Sequence, residues 1–183
     1  MVICEGPDGS GKTTLAKRLA DEFSLEYRRP PESLLSSTTG PSEGLHDWWR
    51  AQLRGSIKSR KLGVYDRCFW LSEPIYAALT GRGMMVDGKT IAQGIHDLWA
   101  ENPMIVFCMT DYAGMLENVY AAGRPRLADI SGDERKLRAI ADLYWASYGC
   151  WYEMLEYVVH WDYNEHEYNR VTAMYGDHAK NWR

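Results

Sequence analysis

Eight consecutive residues, Gly6–Thr13, constrain this chain more than any other feature of its sequence. They read Gly-Pro-Asp-Gly-Ser-Gly-Lys-Thr and match the pattern GxxxxGK[ST] in full. The motif follows a short apolar run, Val2–Glu5, and precedes an apolar pattern with helical spacing. Glycines let backbone N–H groups turn inward, and a helix N-terminus adds partial positive charge, so the segment suits phosphate oxygens. We therefore expect a strand, a phosphate-binding loop and a helix in succession.

The residue types of this motif predict that it binds the phosphates of a nucleoside triphosphate. Lys12 would reach the β- and γ-phosphates of ATP, and Thr13 would place its hydroxyl on Mg²⁺. The expected donor-binding set is Gly6, Asp8, Gly9, Ser10, Gly11, Lys12, Thr13 and Thr14. The dinucleotide pattern GxGxxG is absent from the segment, which disfavours a nicotinamide enzyme.

Short apolar runs alternate with longer helical patterns along the chain, which predicts βαβ units and a mostly parallel sheet. The predicted strands lie at about 2–5, 25–29, 62–66, 104–110 and 157–161. The predicted helices lie at about 13–23, 42–60, 68–79, 90–100 and 112–121, followed by a long helix that a capping box of Ser131 and Glu134 opens. Residues 33–43 have the composition of a loop, and the tail at about 164–183 has only a weak helical pattern. We expect one α/β domain over residues 1–183.

Composition narrows the class of protein further. Of 183 residues, 45% are hydrophobic and 25% charged, which excludes disordered and fibrous chains. The net charge of −4 provides no broad basic field for nucleic acid, although a local groove stays open. Four cysteines form no CxxC pair, no signal-like segment is visible, and the longest apolar run, Met104–Met109, is too short for a bilayer. These features predict a cytoplasmic protein with no membrane segment.

Charged residues beside predicted strands and loops provide further candidates. Asp66 and Arg67 follow the third predicted strand, where the carboxyl ends of a parallel sheet place a site. There Asp66 can hold Mg²⁺ or accept a proton, and Arg67 can clamp a phosphate; a surface ion pair is the alternative. Arg124 and Arg126 lie in a loop with Gly123 and Pro125, and such arginines can close over a triphosphate. A solvated turn is the alternative for that loop.

The tryptophans permit two interpretations. Trp49 lies on a predicted helix near the expected acceptor site, and Trp70 follows Asp66 and Arg67 closely. A nucleobase needs a flat aromatic platform, so both are candidate substrate-binding residues. An apolar stripe at helical spacing is also typical of a core, and the pattern alone leaves the choice open.

Several segments resemble the thymidylate-kinase family. Residues 6–14 resemble its phosphate-binding loop, GxDGxGKTT, and Asp66–Ser72 resembles its DRxxxxS segment. Tyr76 and Gly81-Arg82-Gly83 follow in similar order, and the helix that opens at Asp133-Glu134 and carries Tyr144 resembles the helix after the family's lid. The resemblance covers residues 1–160 and is nearest in character to short, phage-encoded members.

This resemblance implies an α/β P-loop kinase fold, a five-stranded parallel sheet flanked by helices, with a helical lid at about 121–132. It implies that Asp8 binds the acceptor sugar or steers the acceptor, and that Arg67 holds the acceptor phosphate. Ser10 fills a position where some relatives keep an arginine, and such relatives use lid arginines, a role that Arg124 and Arg126 fit. Relatives are often dimers, so a homodimer is implied as well.

The acceptor side departs from the family, and three functions follow as hypotheses. The family's acidic turn is replaced by Pro30-Pro31-Glu32, and its tyrosine after Asp-Arg is Cys68. We expect an ATP- and Mg²⁺-dependent kinase that phosphorylates a thymidine-type deoxynucleotide. The first alternative is a kinase that phosphorylates a hydroxyl, on a nucleoside or on 5-hydroxymethyluracil in phage DNA, with Asp66 or Glu32 as base. The second is a nucleotide-driven switch or motor.

Overall fold

The structure, a computed structural model, describes residues 1–35, 43–59, 62–81, 83–121, 134–163 and 165–182. Five strands form one sheet in the order β2-β3-β1-β4-β5, and every neighbouring pair is parallel. The strands are β1 (Val2–Glu5), β2 (Glu26–Arg28), β3 (Gly63–Asp66), β4 (Met104–Cys108) and β5 (Val158–Trp161). The predicted α/β architecture with a five-stranded parallel sheet is confirmed.

Helices connect these strands and flank the sheet. Within the described ranges they are α1 (Lys12–Glu22), α2 (Glu32–Leu35), α3 (Glu43–Ser59), α4 (Phe69–Thr80), α5 (Gly88–Ala100), α6 (Tyr112–Ala121), α7 (Glu134–Met154) and α8 (Glu165–Asn181). The described helices are not long and apolar enough to cross a bilayer.

Side chains that alternate along the strands form two cores, one on each face of the sheet. On one face, Val2 and Cys4 pack with the buried stripe of α1 and with α8. On the other, Ile3 and Tyr65 pack with α3, α4, α5 and α7. Because both faces are covered, the carboxyl ends of the strands form the open edge where a parallel sheet carries its site.

Two predicted loops or tails have more structure than expected. The tail predicted from residue 164 contains the 17-residue helix α8, whose Tyr168, Val171 and Tyr175 are buried against α1 and the sheet. The segment 33–43 begins with the short helix α2. The capping residue Ser131, and residues 122–133 of the predicted lid, lie outside the described residues.

Candidate active site

A cleft of about 340 Å³ opens at the carboxyl ends of β1 and β3. Its walls come from the phosphate loop, the ends of β2 and β3, α6 and the turn after β5. The lining residues are Asp8, Gly9, Gly11, Lys12, Thr13, Thr14, Arg29, Pro30, Asp66, Arg67, Asn118, Val119 and Tyr163. Most of the residues predicted for the donor and for the acceptor phosphate therefore share one cleft.

The glycines of the phosphate loop are required by its backbone. Gly9 and Gly11 have φ of +81° and +75°, values that other residues adopt only with strain. A Cβ at Gly9 would lie 2.6 Å from the carbonyl oxygen of Met115, and one at Gly11 would meet the ring of Tyr163. Both positions thus need glycine, because the loop packs closely against α6 and the turn after β5.

Two cations of the cleft share one carboxylate. Asp8 Oδ1 accepts from Lys12 Nζ at 3.2 Å and from Arg67 Nη2 at 2.5 Å, while Lys12 also donates to the carbonyl of Pro7 at 3.0 Å. Burial lowers the pKa of Lys12, and the positive charge of Arg67 lowers it further, whereas Asp8 opposes both. Lys12 and Arg67 therefore converge on one anion position.

Asp66 lies deeper and joins β3 to two other elements. Its Oδ2 accepts from Thr13 Oγ1 at 2.7 Å and from Tyr27 Oη at 2.9 Å. Burial beside Asp66 raises the pKa of Tyr27, so the phenol remains a hydrogen-bond donor. A hydroxyl beside a carboxylate is the oxygen-rich donor set that Mg²⁺ prefers, so Thr13 and Asp66 fit the predicted metal.

Arg67 is held in an unusual backbone conformation. Its φ is +83°, in the left-handed region where an arginine is strained. Its amide donates to the carbonyl of Cys4 at 2.9 Å, and its guanidinium lies 5.0 Å from the ring centroid of Tyr76. This conformation directs the side chain toward Asp8, whose Oδ1 accepts from Arg67 Nη2.

Three further lining residues of the cleft, Asn118, Val119 and Tyr163, carry no ionised side chain. Asn118 Nδ2 and Tyr163 Oη both donate to the carbonyl of Gly9 at 3.0 Å. Tyr163 has φ of +74°, so a second strained residue lines the cleft. Sequence reasoning missed Tyr27, Asn118 and Tyr163, because each is an isolated residue with no local motif.

The tryptophan predictions need correction. Trp49 and Trp70 are each 1% exposed, and neither lines the cleft. Trp49 packs on the rings of Tyr65 and Trp70, and Trp70 Nε1 contacts His46 Nδ1 at 3.2 Å. Core packing occupies both rings, so they are unavailable to stack on a base.

The outcome differs among four other predicted site residues. Ser10 is buried, and its hydroxyl has no hydrogen-bond partner among the described residues. The backbone of Glu32 begins α2, and its side chain lies outside the described part of the structure. Arg124 and Arg126 also lie outside the described residues.

Solved structures share this fold over nearly the whole chain. YorR from Bacillus subtilis, in complex with phosphorylated GDP, matches with a TM-score of 0.68 and 15% identity, covering 100% of this chain and 98% of its own. Deoxyadenosine kinase from M. mycoides with bound dATP matches with a TM-score of 0.62 and 14% identity, over 96% and 98%. Shikimate kinase from Acinetobacter baumannii with shikimate matches with a TM-score of 0.56 and 17% identity, over 96% and 93%.

No family model matches the chain, and no curated protein sequence does. Identities of 14–17% establish the fold alone. The fold is that of the P-loop kinases, with the phosphate loop between β1 and α1.

Proposed function

We propose that this chain is an ATP- and Mg²⁺-dependent kinase that transfers the γ-phosphoryl group to a thymidine-type deoxynucleoside monophosphate. The geometry of the phosphate loop and the fold support the proposal that the chain is a phosphotransferase. The preference for a thymidine-type acceptor rests on the resemblance of Asp66–Ser72 to the thymidylate-kinase segment.

The observation that carries this proposal is the position of Asp8 between Lys12 and Arg67. Lys12 belongs to the donor loop and Arg67 to the end of β3, yet both contact one carboxylate oxygen. A phosphate oxygen carries the same charge and can replace that carboxylate on both cations. Arg29 also lines the cleft, with its Nε 4.0 Å from Asp66 Oδ2, and adds positive charge for a phosphorylated acceptor. Donor and acceptor phosphates would thus meet beside Lys12.

Two groups of lining residues then take different parts of the substrates. The acceptor phosphate lies on Arg67 and Arg29, while the sugar and base of the donor lie beside the uncharged side chains of Asn118 and Tyr163. Thr13 and Asp66 would hold Mg²⁺, which neutralises phosphate charge and orients the donor when it is bound.

A transfer screen tests the proposal. Purified protein is incubated with γ-labelled ATP and Mg²⁺, and each deoxynucleoside monophosphate, nucleoside and 5-hydroxymethyluracil-containing DNA is offered separately. We expect label in the diphosphate product of thymidine-type monophosphates, and none with Lys12→Ala. Label only in inorganic phosphate, whatever acceptor is present, would indicate a nucleotide-driven switch and contradict the kinase.

A hydroxyl acceptor is the second candidate, and the accessible carboxylate of Asp8 favours it. Transfer to a hydroxyl needs a base, and Asp8 lines the cleft with 30% of its side chain exposed. Asp66 is 3% exposed and already accepts from Thr13 and Tyr27, so Asp8, which pairs with Lys12 and Arg67, is the more accessible of the two carboxylates. Two of the similar solved structures, deoxyadenosine kinase and shikimate kinase, are also named for acceptors that carry no phosphate. Label in a nucleoside or in hydroxymethyluracil DNA, and in no monophosphate, would select this function.

A further inference from the structure

A buried carboxylate outside the cleft receives hydrogen bonds from three different parts of the fold. Glu5, the last residue of β1, is fully buried and does not line the cleft. Its Oε1 accepts from the Gly6 amide and from Tyr144 Oη, each at 3.0 Å, and its Oε2 accepts from the Cys68 amide at 2.7 Å. One side chain therefore joins the phosphate loop, the start of α4 and the middle of α7.

Two hydrogen bonds to the end of β1 hold the backbone at the strained residue Arg67 and at the residue after it. The carbonyl of Cys4 accepts from the amide of Arg67, and the carboxylate of Glu5 accepts from the next amide, that of Cys68. An arginine with φ of +83° keeps this conformation only where its surroundings hold the backbone on both sides. The same carboxylate also fixes the first amide of the phosphate loop, so it sets the loop and Arg67 relative to each other.

We propose that Glu5 is a positioning residue that holds Arg67 against the phosphate loop, with Tyr144 as its support from α7. This inference rests on the proposed kinase function. Glu5 has no described contact with the cleft, so it acts through Arg67 and Gly6 and not on the substrate. Tyr144 is fully buried and supplies the one side-chain donor among the three, which makes it the bond that a mutation removes most cleanly.

Two variants separate this role from general structural support. Tyr144→Phe deletes one hydroxyl and keeps the ring. Glu5→Gln keeps the shape, but its amide nitrogen is a donor and would face a backbone N–H whichever oxygen it replaces, that of Gly6 at Oε1 or that of Cys68 at Oε2. Tyr148→Phe, one turn further along α7, is the matched control because it removes a phenol hydroxyl from the same helix.

The experiment measures kcat and both KM values for the wild type, these three variants and the double variant Glu5→Gln/Tyr144→Phe, after urea unfolding shows that each is folded. We expect Tyr144→Phe to lower kcat about ten-fold, because misplacing Arg67 removes alignment, while the KM for ATP changes less than about two-fold. Glu5→Gln should lose more, the double variant should be no worse than Glu5→Gln, and Tyr148→Phe should match the wild type.

Several results would overturn the inference. If the wild type is active and Tyr144→Phe keeps full kcat, the role of Glu5 is rejected while the proposed function stands. Losses of kcat that add up in the double variant would also reject this role. If Glu5→Gln does not fold, the comparison of kcat between Tyr144→Phe and Tyr148→Phe tests the inference. A wild type that transfers phosphate to no acceptor would instead reject the proposed function, and this inference with it.

Discussion

Thr13 Oγ1 donates a 2.7 Å hydrogen bond to Asp66 Oδ2, across 53 positions of sequence. The bond connects the start of α1 to the end of β3, and Tyr27 supports the same carboxylate oxygen. Because both oxygens suit Mg²⁺, this contact joins the phosphate loop to a candidate metal ligand outside it.

Asp66→Asn should therefore lower kcat, and a higher Mg²⁺ concentration should partly restore it. Asparagine keeps the shape and an acceptor oxygen for Thr13, but it removes the negative charge that favours the metal. The measurement is kcat against Mg²⁺ concentration for both proteins, with Tyr27→Phe as a milder variant. A loss of kcat that Mg²⁺ does not rescue, combined with product only on hydroxyl acceptors, would instead indicate that Asp66 acts as the base.

Lys12→Ala should reduce kcat by about 10²–10³-fold or more while the protein stays folded. In the proposed function the Lys12 ammonium would face the transferred phosphoryl group, and removing one such preorganised donor costs that much in rate. Steady-state transfer and a urea unfolding curve test both parts. Lys180→Ala, a change of an exposed lysine on α8, is the control and should match the wild type. Near-normal turnover in a folded Lys12→Ala protein would contradict the kinase.

Arg124→Ala and Arg126→Ala should lower kcat more than they weaken ATP binding. Lid arginines contact the transition state, and such residues contribute about 10³–10⁵-fold in rate. The kinetic constants are compared with the equilibrium affinity for ATP, measured separately by calorimetry. Wild-type kcat in both variants would remove these arginines from the mechanism.

Trp49→Ala should destabilise the fold by about 3–5 kcal/mol, the usual cost of removing a buried aromatic side chain. The Trp49 side chain fills the core between α3 and β3, where it contacts Tyr65 and Trp70. The milder Trp49→Phe should lose less stability and keep its nucleotide KM. A raised KM for the acceptor with unchanged stability would restore the stacking role predicted from sequence.

His178 should make the free energy of unfolding depend on pH between about 6.5 and about 4. Burial lowers the pKa of this imidazole from 6.5 to about 4. The unfolded chain therefore binds a proton in that window while the folded protein does not, so stability falls as the pH falls. Urea unfolding at pH 7 and pH 5 should show a larger loss for the wild type than for His178→Gln. Equal losses would show that His178 does not contribute.

The tertiary structure decided which aromatic residues are core and which line the cleft. Trp49 and Trp70 fit either role at helical spacing, and only the packing of α3 and α4 on the sheet buries them. Tyr163 and Asn118 are single residues in a turn and on a helix, with no local pattern. They reach the phosphate loop because the turn after β5 and helix α6 end beside it.

The amino-acid sequence by itself determined the phosphate loop, the parallel sheet and the pair Asp66-Arg67. These are local features: the closely spaced glycines Gly6, Gly9 and Gly11 allow the loop's positive φ angles, and strands buried on both faces are mostly apolar runs. Only the tertiary structure decided what Glu5 does, because its three donors, at residues 6, 68 and 144, are brought together by the fold and not by spacing along the chain. The same holds for α8, whose narrow buried stripe is a weak signal until α1 and the sheet give it a surface to cover.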